Sequence, residues 1–134
     1  MSEPVIIQGG MGIGVSNWKL ARAVSLAGQL GVVTGTILDN ILARRLQRGD
    51  EGGDMRRALD HFPNREIAQR ILKRYFIPGG KKKGAPFKNA TMYSINPPQE
   101  LLELTCAANF VEVFLAKEGH QGLVGVNYLE KIQL

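Results

Sequence analysis

The residues whose types and spacing point to chemistry stand at the start of the chain. Val5-Ile6-Ile7-Gln8 is a short apolar run rich in β-branched residues, and it stops in Gly9-Gly10-Met11-Gly12-Ile13-Gly14. Glycine lets backbone approach a ligand closely, so a strand ending in such a loop offers its N–H groups to a planar or anionic partner. Two further strand ends carry glycine or polar residues: Thr34-Gly35-Thr36 after Gly31-Val32-Val33, and Asn127 after Leu123-Val124-Gly125-Val126. Asn127 adds a side-chain amide that can both donate and accept. The candidate ligand-binding residues are therefore Gly10, Met11, Gly12, Thr34, Gly35 and Asn127. An ordinary structural role competes at each: a tight turn with a core methionine at 10–12, a backbone-capping hydroxyl at Thr34, a strand-end cap at Asn127.

Alternating strands and helices must position these ends. The pattern predicts strands at Val5–Gln8, Gly31–Gly35 and Leu123–Asn127. Between the first two, Ser16 is a suitable N-cap for a helix to Ala27 that turns Leu20, Val24 and Ala27 to one face, and Gly28 stops it. Thr36 with Asp39 resembles a capping box for a helix through Leu46. Met55–Phe62 and Glu66–Tyr75 read as two short helices. Residues 78–86, with two prolines, three glycines and three lysines, read as a loop. A long helix follows from Pro98 to about Lys117, with Leu101, Leu104, Thr105, Ala108, Val111 and Leu115 on its buried face. Strands alternating with helices imply a parallel sheet with right-handed crossovers, hence an α/β class.

Two parallel-sheet architectures fit that order. A dinucleotide-binding sheet requires G-x-G-x-x-G and an acidic residue at the second strand's end. Here Asn17 stands in place of the third glycine, and the second strand ends in Thr34-Gly35-Thr36. A (β/α)8 barrel instead gathers its ligand at the C-terminal strand ends, where this chain places its glycines and polar residues.

Composition narrows the function classes. Apolar residues are 44% and charged residues 22% of the chain, the balance of a globular domain without a membrane span. The single cysteine, Cys106, excludes an internal disulfide and, with no metal-spaced partners, offers no metal site; it fits a cytoplasmic protein. The net charge of +5 is uneven: Arg44–Lys88 holds 13 basic and 5 acidic residues. Such a segment suits an acidic partner or a solvated cationic face better than nucleic acid, because it contains no recognised nucleic-acid-binding module.

Several segments resemble a known family. Ile6-Ile7-Gln8-Gly9-Gly10-Met11-Gly12, Ala23-Val24-Ser25-Leu26-Ala27-Gly28-Gln29-Leu30-Gly31-Val32-Val33 and Val124-Gly125-Val126-Asn127 are similar to the nitronate monooxygenase (2-nitropropane dioxygenase) family of FMN-dependent barrel flavoproteins. Ile41–Gln47, Arg74–Gly80, Ala108–His120 and Leu129–Gln133 resemble its PfaD branch, the enoyl reductases of polyunsaturated fatty acid and polyketide synthases. The resemblance implies the N-terminal part of a TIM (β/α)8 barrel, with about three strands and a basic helical and loop insertion at 38–96. It implies FMN as cofactor, NAD(P)H as reductant and an acyl carrier protein or synthase subunit as partner. Alternatives are a nitronate monooxygenase, or a non-catalytic piece that only docks an acidic partner. A complete barrel needs roughly 250 residues. Residues 1–134 are therefore expected to form an incomplete flavin-binding domain, inactive alone, with catalytic residues beyond 134 and self-association through open strand edges.

Other side chains receive plainer readings. Glu130, Lys131 and Gln133 resemble family signature residues with supporting roles. His120, before the third strand, belongs to the barrel's bottom face, where residues serve stability. His61 beside Arg56 and Arg57 is expected to be exposed, Trp18 to pack, and Cys106 to be a small core or boundary residue.

Overall fold

The structure, a computed structural model, describes residues 3–12, 14–90, 92 and 94–128. Among them the chain forms five helices and a two-stranded parallel sheet, a mixed α/β arrangement. The elements are α1 (Trp18–Leu26), β1 (Gly31–Thr34), α2 (Leu38–Gln47), α3 (Asp54–Leu59), α4 (Arg65–Tyr75), α5 (Gln99–Lys117) and β2 (Val124–Asn127). The chain divides into two compact units. Among the described residues, one holds those up to Thr36 and those from Glu112 to Tyr128; the other holds those from Ile37 to Val111.

In the first unit β1 pairs with β2 in parallel, Gly31 level with Val124 and Thr34 level with Asn127. All four residues of β1 are buried, as a strand covered on both faces requires. The expected strand at Val5–Gln8 is reduced to a single parallel bridge between Ile7 and Leu30. Leu30 N donates to Ile6 O (3.1 Å) and Gln8 N to Leu30 O (3.0 Å). Beyond that point the Gln8 side chain replaces the ladder. Its Nε2 donates to Val32 O (2.9 Å) and its Oε1 accepts from Val32 N (3.1 Å). The main chain is thereby free to turn away into the glycine loop.

Helix α1 is capped by Asn17, not Ser16: the Asn17 Oδ1 accepts from Lys19 N and Leu20 N, each at 3.1 Å. Its buried face is Ala21 and Ser25, one residue round from the expected Leu20, Val24 and Ala27. The cause is the closeness of backbone. A Cβ on Gly31 would lie 2.8 Å from Ala21 C and 2.9 Å from Ala21 Cα, so only small residues fit where α1 crosses the sheet. Trp18 N donates to the buried Glu112 carboxylate (2.8 Å), which places negative charge at the helix's positive end. Arg22 donates to the Leu115 and Glu118 carbonyls and so ties α1 to the end of α5. His120 closes the turn into β2: its Nε2 donates to Ala116 O (2.6 Å) and its Nδ1 accepts from Gly122 N (3.0 Å).

In the second unit, Leu42, Ala43, Leu46, Met55, Leu59, Ala68, Ile71 and Leu104 are buried together with other apolar residues of α2 to α5. The face expected for the long helix is buried at all six named positions. Asn64 caps α4 by accepting from Ile67 N (3.1 Å). The Asp50 carboxylate serves the start of α3, accepting from Met55 N and Arg56 N at 3.0 Å each. No capping box forms at α2. Ile37 stands at the N-cap with φ 60°, a strained conformation for a β-branched residue, and no side chain caps the helix. Asp39 is instead buried, its Oδ1 has no hydrogen-bond partner among the described residues, and burial pushes its pKa above the ordinary value.

Two measurements check this packing. Gly31→Ala forces backbone apart at Ala21 and is expected to lower stability by about 2 kcal/mol in urea unfolding; an unchanged midpoint contradicts the contact. Asp39→Asn removes a carboxylate whose charged form the fold disfavours, so it is expected to stabilise at pH 7 by about 1 kcal/mol. A raised folded pKa penalises the ionised form above it. Below the unfolded value of about 3.9 the carboxyl is protonated in both states, and the gain disappears. A gain that persists at pH 3 contradicts this cause.

Candidate functional site

The parallel register brings the three glycine-rich or polar segments to one end of the sheet in the first unit. Gly35 N donates to Asn127 O (2.9 Å), which continues the ladder with β2 one residue past β1. The Asn127 side chain lies against Gly10: a Cβ there would stand 2.6 Å from Asn127 Cγ. Gly35 is packed as tightly. A Cβ on it would meet the Tyr128 ring at 2.6 Å and Val126 Cγ1 at 2.8 Å. At these two glycines the space for a side chain is taken by neighbouring side chains, rather than the backbone conformation calling for glycine.

Ser16 joins the loop to the sheet. Its Oγ accepts from Met11 N (2.8 Å), its carbonyl accepts from Thr34 N (2.9 Å), and its own N donates to Gly12 O (3.2 Å). Gly12 has φ 108° and Gly14 φ 77°, so this turn depends on glycine. Ser16 and Gln8 are the residues that sequence reasoning passed over as parts of the site. Their signal was positional: a polar residue ending an apolar strand, and a hydroxyl five residues beyond Met11.

Gly10, Met11, Gly12, Thr34, Gly35 and Asn127 thus belong to one neighbourhood, with different exposures. Met11 is 58% exposed, whereas Thr34 is buried with an Oγ1 that has no hydrogen-bond partner among the described residues. Asn127 is exposed, and no described residue hydrogen-bonds its side-chain amide. The end of the sheet therefore presents an exposed thioether, an available amide and an unsatisfied hydroxyl beside glycine backbone.

Other candidates are elsewhere. Both ring nitrogens of His120 are held by backbone, as a structural role predicts. His61 is exposed, with Nδ1 at 3.0 Å from Arg57 O. Trp18 is half-buried under the Lys19 ammonium, 5.6 Å from the ring centroid. Cys106 is exposed, not a core residue, because it falls off the apolar face of α5. Glu130, Lys131 and Gln133 lie outside the described residues. Among the described residues no group of His, Cys, Asp and Glu could hold a metal ion, and no helix is long and apolar enough to cross a membrane.

The basic segment lies in the second unit, and much of its charge is paired. Arg56 meets Asp50 (3.0 Å), Arg57 meets Asp54 (2.9 Å), Arg70 meets Glu103 (2.8 Å) and Arg74 meets Glu100 (3.5 Å). A groove of about 450 Å³ beside α4 and α5 is lined by the last two pairs with Ile71, Tyr75 and Leu104. Comparison of the chain with protein-family models, curated proteins and solved structures finds no match.

The contact between Gly10 and Asn127 is open to a double-mutant cycle. Gly10→Ala is expected to cost about 1 kcal/mol by displacing the amide, and Asn127→Ala in that background to recover most of it. Strictly additive effects contradict the contact.

Proposed function

We propose that the sheet end formed by Gly10, Met11, Gly12, Thr34, Gly35 and Asn127 receives the isoalloxazine of FMN, in a chain that supplies the first strands of a (β/α)8 barrel. The observation that carries this reading is the convergence of those residues at the C-terminal ends of parallel strands, the position at which such barrels bind ligands. The residues present suit a planar heteroaromatic ring. Gly10 and Gly12 allow backbone approach, the Asn127 amide can answer a polar ring edge, and the orphaned Thr34 Oγ1 has a hydrogen bond to give. Val5, Ile6 and Ile7 are exposed at 90%, 61% and 65%, and neighbouring barrel elements would cover them.

When bound, FMN would supply hydride transfer from NAD(P)H to the double bond of an acyl chain held by a carrier protein. This chain's own residues would orient the ring and hold its polar edge. The net-positive Arg44–Lys88 segment gives an acidic carrier or synthase partner a surface of opposite charge.

Flavin fluorescence tests the site. Titration of the chain into FMN is expected to quench saturably, and Asn127→Ala to weaken binding about tenfold, the loss of one hydrogen bond. Arg65→Gln, which removes a cation paired with Asp60, serves as control and should change affinity little. Absence of quenching, or equal affinity of the Asn127 variant and the parent, overturns the reading.

A further inference from the structure

We propose that Arg44, Arg48 and Lys81, gathered round Phe87, form a binding site for the phosphoryl group of a small anionic ligand. This site lies wholly in the second unit and does not rest on the flavin reading. The Arg44 and Arg48 guanidinium carbons lie 5.3 and 5.4 Å from the Phe87 ring centroid, and Lys81 Nζ lies 4.6 Å from it. Three positive charges are therefore held within about one Debye length, about 10 Å at 0.1 M salt. Among the described residues none of the three belongs to an ion pair, in contrast to Arg56, Arg57, Arg70 and Arg74. Lys81 gives one ammonium hydrogen to Ala85 O (2.7 Å) and keeps two.

The cluster is built rather than incidental. Arg44 and Arg48 are four residues apart, so one face of α2 and the residue just past it carry both. The 78–86 loop is brought to them by glycine. Gly49 and Gly80 have φ 101° and 87°, and a Cβ on Gly80 would stand 2.8 Å from Arg48 O. The buried Gln47 then fixes both sides of Phe87. Its carbonyl accepts from Lys81 N (2.8 Å), while its amide accepts from Lys88 N and donates to Lys88 O, both at 2.7 Å.

A ring quadrupole attracts cations without neutralising them, so their mutual repulsion stays unanswered. Two guanidiniums and an ammonium packed round one ring carry N–H donors that suit the oxygens of a phosphoryl group, which accept bidentately. An acidic protein surface would instead call for charges spread along a face.

Inorganic pyrophosphate is the probe, titrated calorimetrically at low salt. Saturable one-site binding is expected. Arg44→Gln, Arg48→Gln and Lys81→Gln should each weaken it by about tenfold or more, the size of a charge-assisted hydrogen bond. Arg65→Gln, an equal loss of charge elsewhere, should change it less than about twofold. The exposed arginine variants leave the apolar core untouched, and circular dichroism confirms each fold. No saturable binding, or an equal loss in Arg65→Gln, overturns the proposal. Binding of a single-stranded oligonucleotide that pyrophosphate does not displace also overturns it, in favour of a nucleic-acid surface.

Discussion

The glycine-rich end of the first unit depends on the parallel register of β1 with β2. Thr34 stands level with Asn127, and one further hydrogen bond, Gly35 N to Asn127 O, holds the strand ends together. A shift by one residue would carry Asn127 away from Gly10 and Gly35. Helix α1 helps to keep the register, because Ala21 meets Gly31 with no room for a side chain. Ser16, just before the helix, then binds Met11 and Thr34 at once. Helix, strand and loop are thus coupled through a few backbone approaches that only small residues permit.

Glutamine side chains recur where the backbone ladder gives out. Gln8 exchanges two hydrogen bonds with Val32, Gln47 exchanges two with Lys88, and Gln29 accepts from Val5 N and Ile6 N. A primary amide carries the same donor and acceptor groups as a peptide unit, so it can stand in for a strand neighbour where the main chain has turned away. In the first unit this device releases the glycine loop from the sheet; in the second it anchors a loop rich in lysine. Each of the two candidate sites therefore lies beside a glutamine amide that holds a loop by two hydrogen bonds.

Legibility in the sequence followed the strength of the local pattern. The face of α5 from Leu101 to Leu115 repeated at helical spacing over about four turns, and it is buried as expected. The stop expected at Gly28 coincides with positive φ. Less was legible where two neighbouring residues could do the same work. Ser16 and Asn17 are both good N-caps, and the choice fell to Asn17 because Ser16 is engaged by Met11 and Thr34. Thr36 and Asp39 matched a capping box, but packing buried the carboxylate. Val5–Gln8 looked like any short strand; that Gln8 would pair by its side chain depends on the path taken after Gly9. At the site, glycines and Asn127 were visible as strand-end residues, whereas the Ser16 link depends on tertiary contacts. The basic segment was visible as a sum of charges, but not which cations would be paired.

The central claim is that the end of the β1–β2 sheet is a flavin site. The most direct measurement is the change in backbone and side-chain amide resonances of nitrogen-labelled protein on adding FMN. The account predicts the largest shifts at Met11, Gly35 and the Asn127 side chain, with Ala68 and Leu104 in the other unit unmoved. Shifts confined to Arg44, Arg48 and Lys81, or none at the sheet end at saturating FMN, would contradict it.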